Sequence, residues 1–128
     1  MRRLLPAVFV LLACACAQAA GPVMDLLFFT APWCAPCRSV YPVLEKFQKA
    51  NAAEVRLLTI DFDEQRAEAE RWSVGEIPVV IAVSSDGRML FRLDGADSEK
   101  LKKLAEELPK SLQRARVLHR QSSQRSRP

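Results

Sequence analysis

Residues 23–47 read VMDLLFFTAPWCAPCRSVYPVLEKF, and the hydrophobic period changes in the middle of them. Val23–Ala31 is an apolar run with one acid, Asp25, near its start. Its length suits a buried strand. From Cys34 onward, Val40, Leu44 and Phe47 recur at helical spacing, with Glu45, Lys46 and Lys49 on other faces. The sequence Trp33-Cys34-Ala35-Pro36-Cys37 therefore falls where a strand gives way to a helix. Cys34 is expected in the cap or first turn. Pro36 is expected within that turn, where its missing N–H costs nothing. Pro42 lies deeper and should bend the helix.

A thiol at such a junction faces unpaired backbone N–H groups and the positive end of the helix dipole. Both stabilise a thiolate. Cys37 lies one turn further on and deeper, from where it can attack a mixed disulfide formed on Cys34. Two intervening residues let both sulfurs meet on one turn. The reading is an exposed attacking thiol at Cys34 and a shielded resolving thiol at Cys37.

The chain start sharpens that reading. In MRRLLPAVFVLLACACAQAAGP (1–22), two arginines precede an uncharged run and small residues follow, the order of a secretory signal. Ala17-Gln18-Ala19 fits cleavage before Ala20, which makes residues 1–19 a signal peptide. Alternatively, Leu11-Leu12-Ala13-Cys14 resembles the bacterial lipobox, with Cys14 acylated and the domain lipid-anchored; Cys16 is a weaker candidate. Either way the domain is expected to be exported, to a bacterial periplasm, soluble or anchored. Of four cysteines, Cys34 and Cys37 then remain to pair with each other. A bridge closing so short a loop removes little chain entropy, so reactivity explains the pair better than scaffolding.

Downstream, Val55–Ile60 reads as a strand, Glu64–Trp72 as a helix and Ile77–Val83 as a buried strand. Ser84–Gly87 is a turn and Arg88–Leu93 the returning strand. A last helix places Leu101, Leu104, Ala105 and Leu108 on one face. Pro109 should end or kink it, although Leu112, Ala115 and Leu118 continue its spacing. The order β-α-β-α-β-β-α gives an α/β class with a small mixed sheet and helices on both faces. The domain spans 23–109. Residues 110–128 form a basic tail expected to be partly disordered.

All fifteen acids fall between Asp25 and Glu107, and the basic excess sits at the two ends. Charge thus gives no reason to read the body as a nucleic-acid binder. Zinc would need two ligands beyond the thiolates, and the one histidine, His119, lies in the expected tail. Zinc is therefore set aside, whereas a copper(I) carrier using the two thiolates stays open as an alternative. So does a binding module without turnover. Trp33 is read as a substrate contact, Trp72 as core, Arg38 as a solvated residue or a source of local positive potential, and His119 as unengaged. The acids of DFDEQRAEAE (61–70) are read as a solvated face.

Three features together resemble the thioredoxin family, over roughly residues 23–108. WCAPC resembles its Trp-Cys-Gly-Pro-Cys. Ile77-Pro78 resembles its cis-proline site, which faces the cysteines and offers backbone to an extended substrate. Pro42 and Gly95 also fit, and the separation of Cys37 from Pro78 resembles the compact members. The resemblance implies a minimal thioredoxin-like fold with a four-stranded mixed sheet. It implies a thiol–disulfide oxidoreductase of the protein-disulfide reductase type, with Trp33, Ala35, Pro36, Ile77 and Pro78 touching substrate. It further implies no cofactor beyond the redox-active Cys34–Cys37 disulfide, disulfide-containing protein substrates, a membrane electron donor and a monomeric state. Two departures stand out. Phe28 occupies the place of the family's buried acid, and Thr59 that of its companion lysine. The usual first strand and helix are expected to be missing, leaving one sheet edge exposed.

Overall fold

The computed structural model describes residues 21–128. The expected leader, with Cys14, Cys16 and the cleavage or acylation site, lies outside the described residues. Seven elements follow in order: β1 (Met24–Thr30), α1 (Cys37–Ala50), β2 (Val55–Asp61), α2 (Arg66–Arg71), β3 (Val79–Ser84), β4 (Met89–Asp94) and α3 (Ser98–Arg125). The sheet order is β2-β1-β3-β4. β1 runs parallel to β2 and antiparallel to β3, and β3 and β4 form the hairpin. This is the mixed four-stranded sheet that the element order predicts.

β1 is apolar from Leu26 to Phe29 because these residues are buried on both faces. Leu26 and Phe28 turn to one side with Val40 and Leu44 of α1 and Leu104, Leu108 and Leu112 of α3. Leu27 and Phe29 turn to the other with Ile60, Ala69 of α2 and Ile81. Asp25, the one acid in the run, is paired across the parallel register with Arg56, whose guanidinium donates to both carboxylate oxygens at 2.9 and 2.8 Å.

Four elements depart from the sequence reading. Strand β3 begins at Val79, two residues after the expected Ile77, because Ile77 and Pro78 form a cis peptide before it. Helix α1 starts at Cys37 with Pro36 as its N-cap, so Cys34 lies in the loop before the cap and Pro36 precedes the first turn. Helix α2 begins two residues late. The side chain of Asp61 accepts from the N–H of Asp63 and of Glu64 (2.9 and 3.1 Å), which holds those residues in a turn that competes with helix. The largest departure is at the C-terminus. α3 is one helix of 28 residues that runs through Pro109 to Arg125, so residues 110–125 are not a disordered tail.

Tertiary packing explains that continuity. A proline inside a helix costs roughly 3 kcal/mol through its lost hydrogen bond and ring clash. Leu108 and Leu112, which flank Pro109, are buried against the sheet, and each buried leucine contributes about 1.5–3 kcal/mol. Ala115 is fully buried one turn later. Arg116 then forks onto Glu54, the residue before β2, at 2.8 and 2.6 Å. His119, read as unengaged, has Nδ1 3.2 Å from the Ser85 hydroxyl. At the other end of α3 the Asp97 side chain caps the helix by accepting from the Lys100 N–H at 2.9 Å.

This docking is testable by chemical denaturation. Leu112→Ala should lower stability by about 2–5 kcal/mol, whereas a frayed tail would give almost no change. Ser111 is fully buried and its hydroxyl has no partner among the described residues, so Ser111→Ala should stabilise by about 1 kcal/mol. The Arg116 guanidinium holds the Glu54 carboxyl below the ordinary carboxylate range. A depressed pKa contributes stability that is fully present above the unfolded value near ~4.3 and is lost as pH falls through the folded value. Glu54→Gln should therefore flatten the acid side of the stability–pH curve below about pH 5 and leave its neutral side parallel to the parent's.

Candidate functional site

The site is built where β1 ends. The Thr30 carbonyl accepts from the Phe62 N–H at 2.9 Å, which ties the end of β1 to the end of β2. A turn follows, closed by the Cys34 N–H on the Ala31 carbonyl at 3.1 Å, and α1 starts at Cys37. From Ala31 to Val40 every third residue is buried: Ala31, Cys34, Cys37 and Val40. Between them Pro32, Trp33, Ala35, Pro36, Arg38 and Ser39 are exposed.

Cys34 and Cys37 form a disulfide, with Cα atoms 5.4 Å apart. The expected contrast between an exposed and a shielded cysteine is absent in this oxidised state, since Cys34 is 4% and Cys37 3% exposed. What separates them is position. Cys34 belongs to the loop beneath Trp33, and Cys37 is the first residue of α1. That helix start carries no side-chain cap and no acid in its first turn. Its positive end is therefore uncompensated by any side-chain anion of the first turn, which favours a thiolate beside it once the bridge is reduced.

Beside the disulfide lies a cavity of about 380 Å³ lined by Phe28, Thr30, Ala31, Pro32, Cys34, Cys37, Arg38, Tyr41 and Thr59. Phe28 is 2% exposed, and its ring centroid stands 6.4 Å from that of Tyr41. No carboxylate lines this space. The side-chain groups there able to accept a proton's hydrogen bond are the hydroxyls of Thr30, Thr59 and Tyr41. Tyr41 escaped the sequence reading, though its position four residues after Cys37 puts it on the same helix face.

Trp33 is 65% exposed, yet it is held. Its indole N–H donates to Asp63 at 2.6 Å, and Asp63 also accepts from Arg66 at 3.1 Å. Asp63, read as part of a solvated acidic face, thus tethers the exposed indole of the residue beside Cys34. The pairing spans thirty positions, and no local pattern announces it.

Ile77-Pro78 is a cis peptide. Phe29 opposes Val79 in the β1–β3 ladder, so Pro78 stands at the same end of the sheet as the cysteine loop. The Pro78 carbonyl accepts from the Gly95 N–H at 2.8 Å. Gly95 has φ +90°, a left-handed backbone that L side chains rarely adopt, and this favours glycine there. The backbone N–H and carbonyl of Ile77 enter no backbone hydrogen bond among the described residues. His119 lies at the opposite end of the sheet, beside Ser85, and no group of three or more metal-ligating side chains is placed to hold an ion among the described residues.

The sequence matches the family model described as Thioredoxin over residues 17–107. It is 37% identical to Thioredoxin H-type 1 of Nicotiana tabacum over 73 residues, covering 57% of this chain and 56% of that protein. It is 36% identical to the thioredoxin of Bacillus subtilis over 62 residues, covering 48% of this chain and 59% of that protein. The chain thus matches a little over half the length of these relatives. Solved structures agree. The thioredoxin protein Deadhead of Drosophila melanogaster superposes with a TM-score of 0.58 at 27% identity, over 70% of this chain and 84% of that one. Fasciola hepatica thioredoxin gives 0.56 at 28%, over 70% and 83%.

The Trp33–Asp63 contact can be checked by fluorescence. In a Trp72→Phe background, Asp63→Ala should red-shift the Trp33 emission and lower its anisotropy. Unchanged spectra would show that Asp63 does not hold the ring.

Proposed function

The chain belongs to the thioredoxin family, and on that premise we propose that it is a thiol–disulfide oxidoreductase working outside the cytoplasm as a protein-disulfide reductase. The observation that carries this reading is the Cys34–Cys37 bridge at an uncapped helix start, flanked by exposed Trp33, Ala35 and Pro36. In the reduced state the Cys34 thiolate attacks one sulfur of a substrate disulfide. The substrate's S–S bond breaks, a Cys34–substrate bond forms, and one substrate thiolate leaves. Cys37, deprotonated, then attacks Cys34, releases the second substrate thiolate and restores the bridge. Two electrons pass to the substrate, and two protons, supplied by Cys37 or by solvent, complete its thiols.

Ile77, with its free backbone groups, and Pro78 support binding of an extended substrate alongside the bridge. Small Ala35-Pro36 and Ile77 before Pro78 resemble reducing members of the family and support that direction. The leader supports export, with the domain soluble after cleavage before Ala20 or anchored through lipid on Cys14. A reductant in an oxidising compartment needs electrons from a membrane dithiol partner. It needs no cofactor besides its own disulfide and works as a monomer. Phe28 sets the rate of resolution: the proton of Cys37 has no carboxylate to go to, and water or the substrate thiolate takes it.

Insulin reduction with dithiothreitol as donor tests the activity. Cys34→Ser should abolish it, and Cys37→Ser should trap a substrate mixed disulfide on Cys34. The reduction potential should lie nearer the thioredoxin value of about −270 mV than the DsbA value of about −120 mV; equilibration near the latter would overturn the reducing direction. Phe28→Asp should accelerate resolution while destabilising the fold by at least about 2 kcal/mol, because an unpaired carboxyl replaces a buried ring. The mass of the mature protein in membrane and soluble fractions reads out cleavage and lipid.

A further inference from the structure

β2 is an edge strand with a partner on one side only among the described residues. Its alternation is fixed by its neighbours. The Glu54 carbonyl accepts from Val23 and Met24 (2.8 and 3.1 Å), and the Phe62 N–H donates to Thr30. Even-numbered residues therefore turn their backbone groups to β1, and Val55, Leu57, Thr59 and Asp61 turn theirs outward. The Val55 carbonyl is met by the Gln48 side chain at 3.4 Å, and the Asp61 carbonyl by the Gln65 N–H at 2.8 Å. The N–H and carbonyl of Leu57 and of Thr59, and the N–H of Asp61, have no partner among the described residues. The opposite edge differs, since Arg114 of α3 reaches over β4 to the Leu90 carbonyl at 3.2 Å.

Beside this open ladder runs a groove of about 490 Å³ between β2 and α1, lined in part by Tyr41, Gln48, Leu57 and Thr59. Tyr41 and Thr59 also line the cavity beside the disulfide, so groove and cavity adjoin at these two residues. Because β2 is parallel to β1, with Asp61 beside Thr30, the ladder leads toward the cysteine loop.

We infer that the β2 edge is a docking strand for an extended segment of the substrate polypeptide, which adds to the sheet and delivers its disulfide to Cys34. Donors and acceptors alternating at strand spacing are matched by another extended backbone and by little else. The groove receives the segment's alternate side chains, and a segment on a ladder that ends beside the cysteine loop, next to the disulfide cavity, is placed as a substrate would be. The substrate class is then proteins whose reducible cysteine adjoins a stretch able to run extended along the edge. This rests on the reductase reading.

The experiment compares two disulfides on one enzyme: oxidised glutathione, too small to reach the edge, and a synthetic peptide with an intramolecular disulfide after an extended apolar segment. Leu57→Pro removes an outward N–H at a position where an edge strand tolerates proline. It should raise the peptide KM about tenfold with kcat unchanged and leave glutathione turnover as it was. Should that variant unfold by circular dichroism, the parent is assayed with the peptide N-methylated at alternate backbone positions, and the same rise in KM is expected. Glutathione turnover with a peptide KM insensitive to both changes would overturn edge docking and leave the reductase reading intact. Failure of the parent to reduce either disulfide would overturn the reductase reading; the inference would then stand only if the peptide still binds the Cys34→Ser variant, by fluorescence anisotropy, in a manner sensitive to N-methylation. A dimer in sedimentation that Leu57→Pro dissolves, with peptide KM unchanged, would assign the edge to a second copy and overturn the inference.

Discussion

Everything at the site depends on β1 being immobile. It is flanked by strands on both edges and by helices on both faces, so its side chains Leu26 to Phe29 are all buried. A strand packed in this way has one conformation, and the loop that leaves it at Thr30 starts from a fixed point. The Cys34–Cys37 bridge spans the few residues between that point and α1, whose own buried face is pinned by Val40 and Leu44. The reactive pair inherits its position from two elements that cannot shift without opening the core.

The same packing decides the chemistry of the pair. Phe28 reaches the space beside the disulfide because β1 alternates, and position 28 shares a face with Leu26 toward α1. A carboxylate there would be a buried charge close to Cys37. A phenyl ring stabilises the core and leaves proton transfer to hydroxyls, water and substrate. Position 28 thus carries a buried ring and no anion, while the helix start still favours a thiolate beside it.

Helix α3 shows how far long-range packing overrides a local rule. Pro109 breaks a helix in isolation, yet the flanking Leu108 and Leu112 face the sheet and hold both halves on one axis. The extension then reaches the end of the sheet remote from the cysteines. There Arg116 and His119 meet Glu54 and Ser85, which bracket the ends of β2 and β3. Long α3 thereby covers one face of a sheet whose β2 edge stays open.

Local chemistry in the sequence was enough to determine the element order and the strand-to-helix junction at WCAPC. Periodicity, turn residues and proline placement act over a few residues and can be read in line. The thioredoxin-like fold followed once Ile77-Pro78 was set beside that junction. Other features depend on residues far apart in the chain, and tertiary structure alone decided them. The grip of Asp63 on Trp33 and the Glu54–Arg116 fork each arise from contacts that no neighbouring residue encodes. Continuity of α3 through Pro109 is of the same kind, because the free energy that overcomes the proline comes from the sheet it packs against and not from the helix itself.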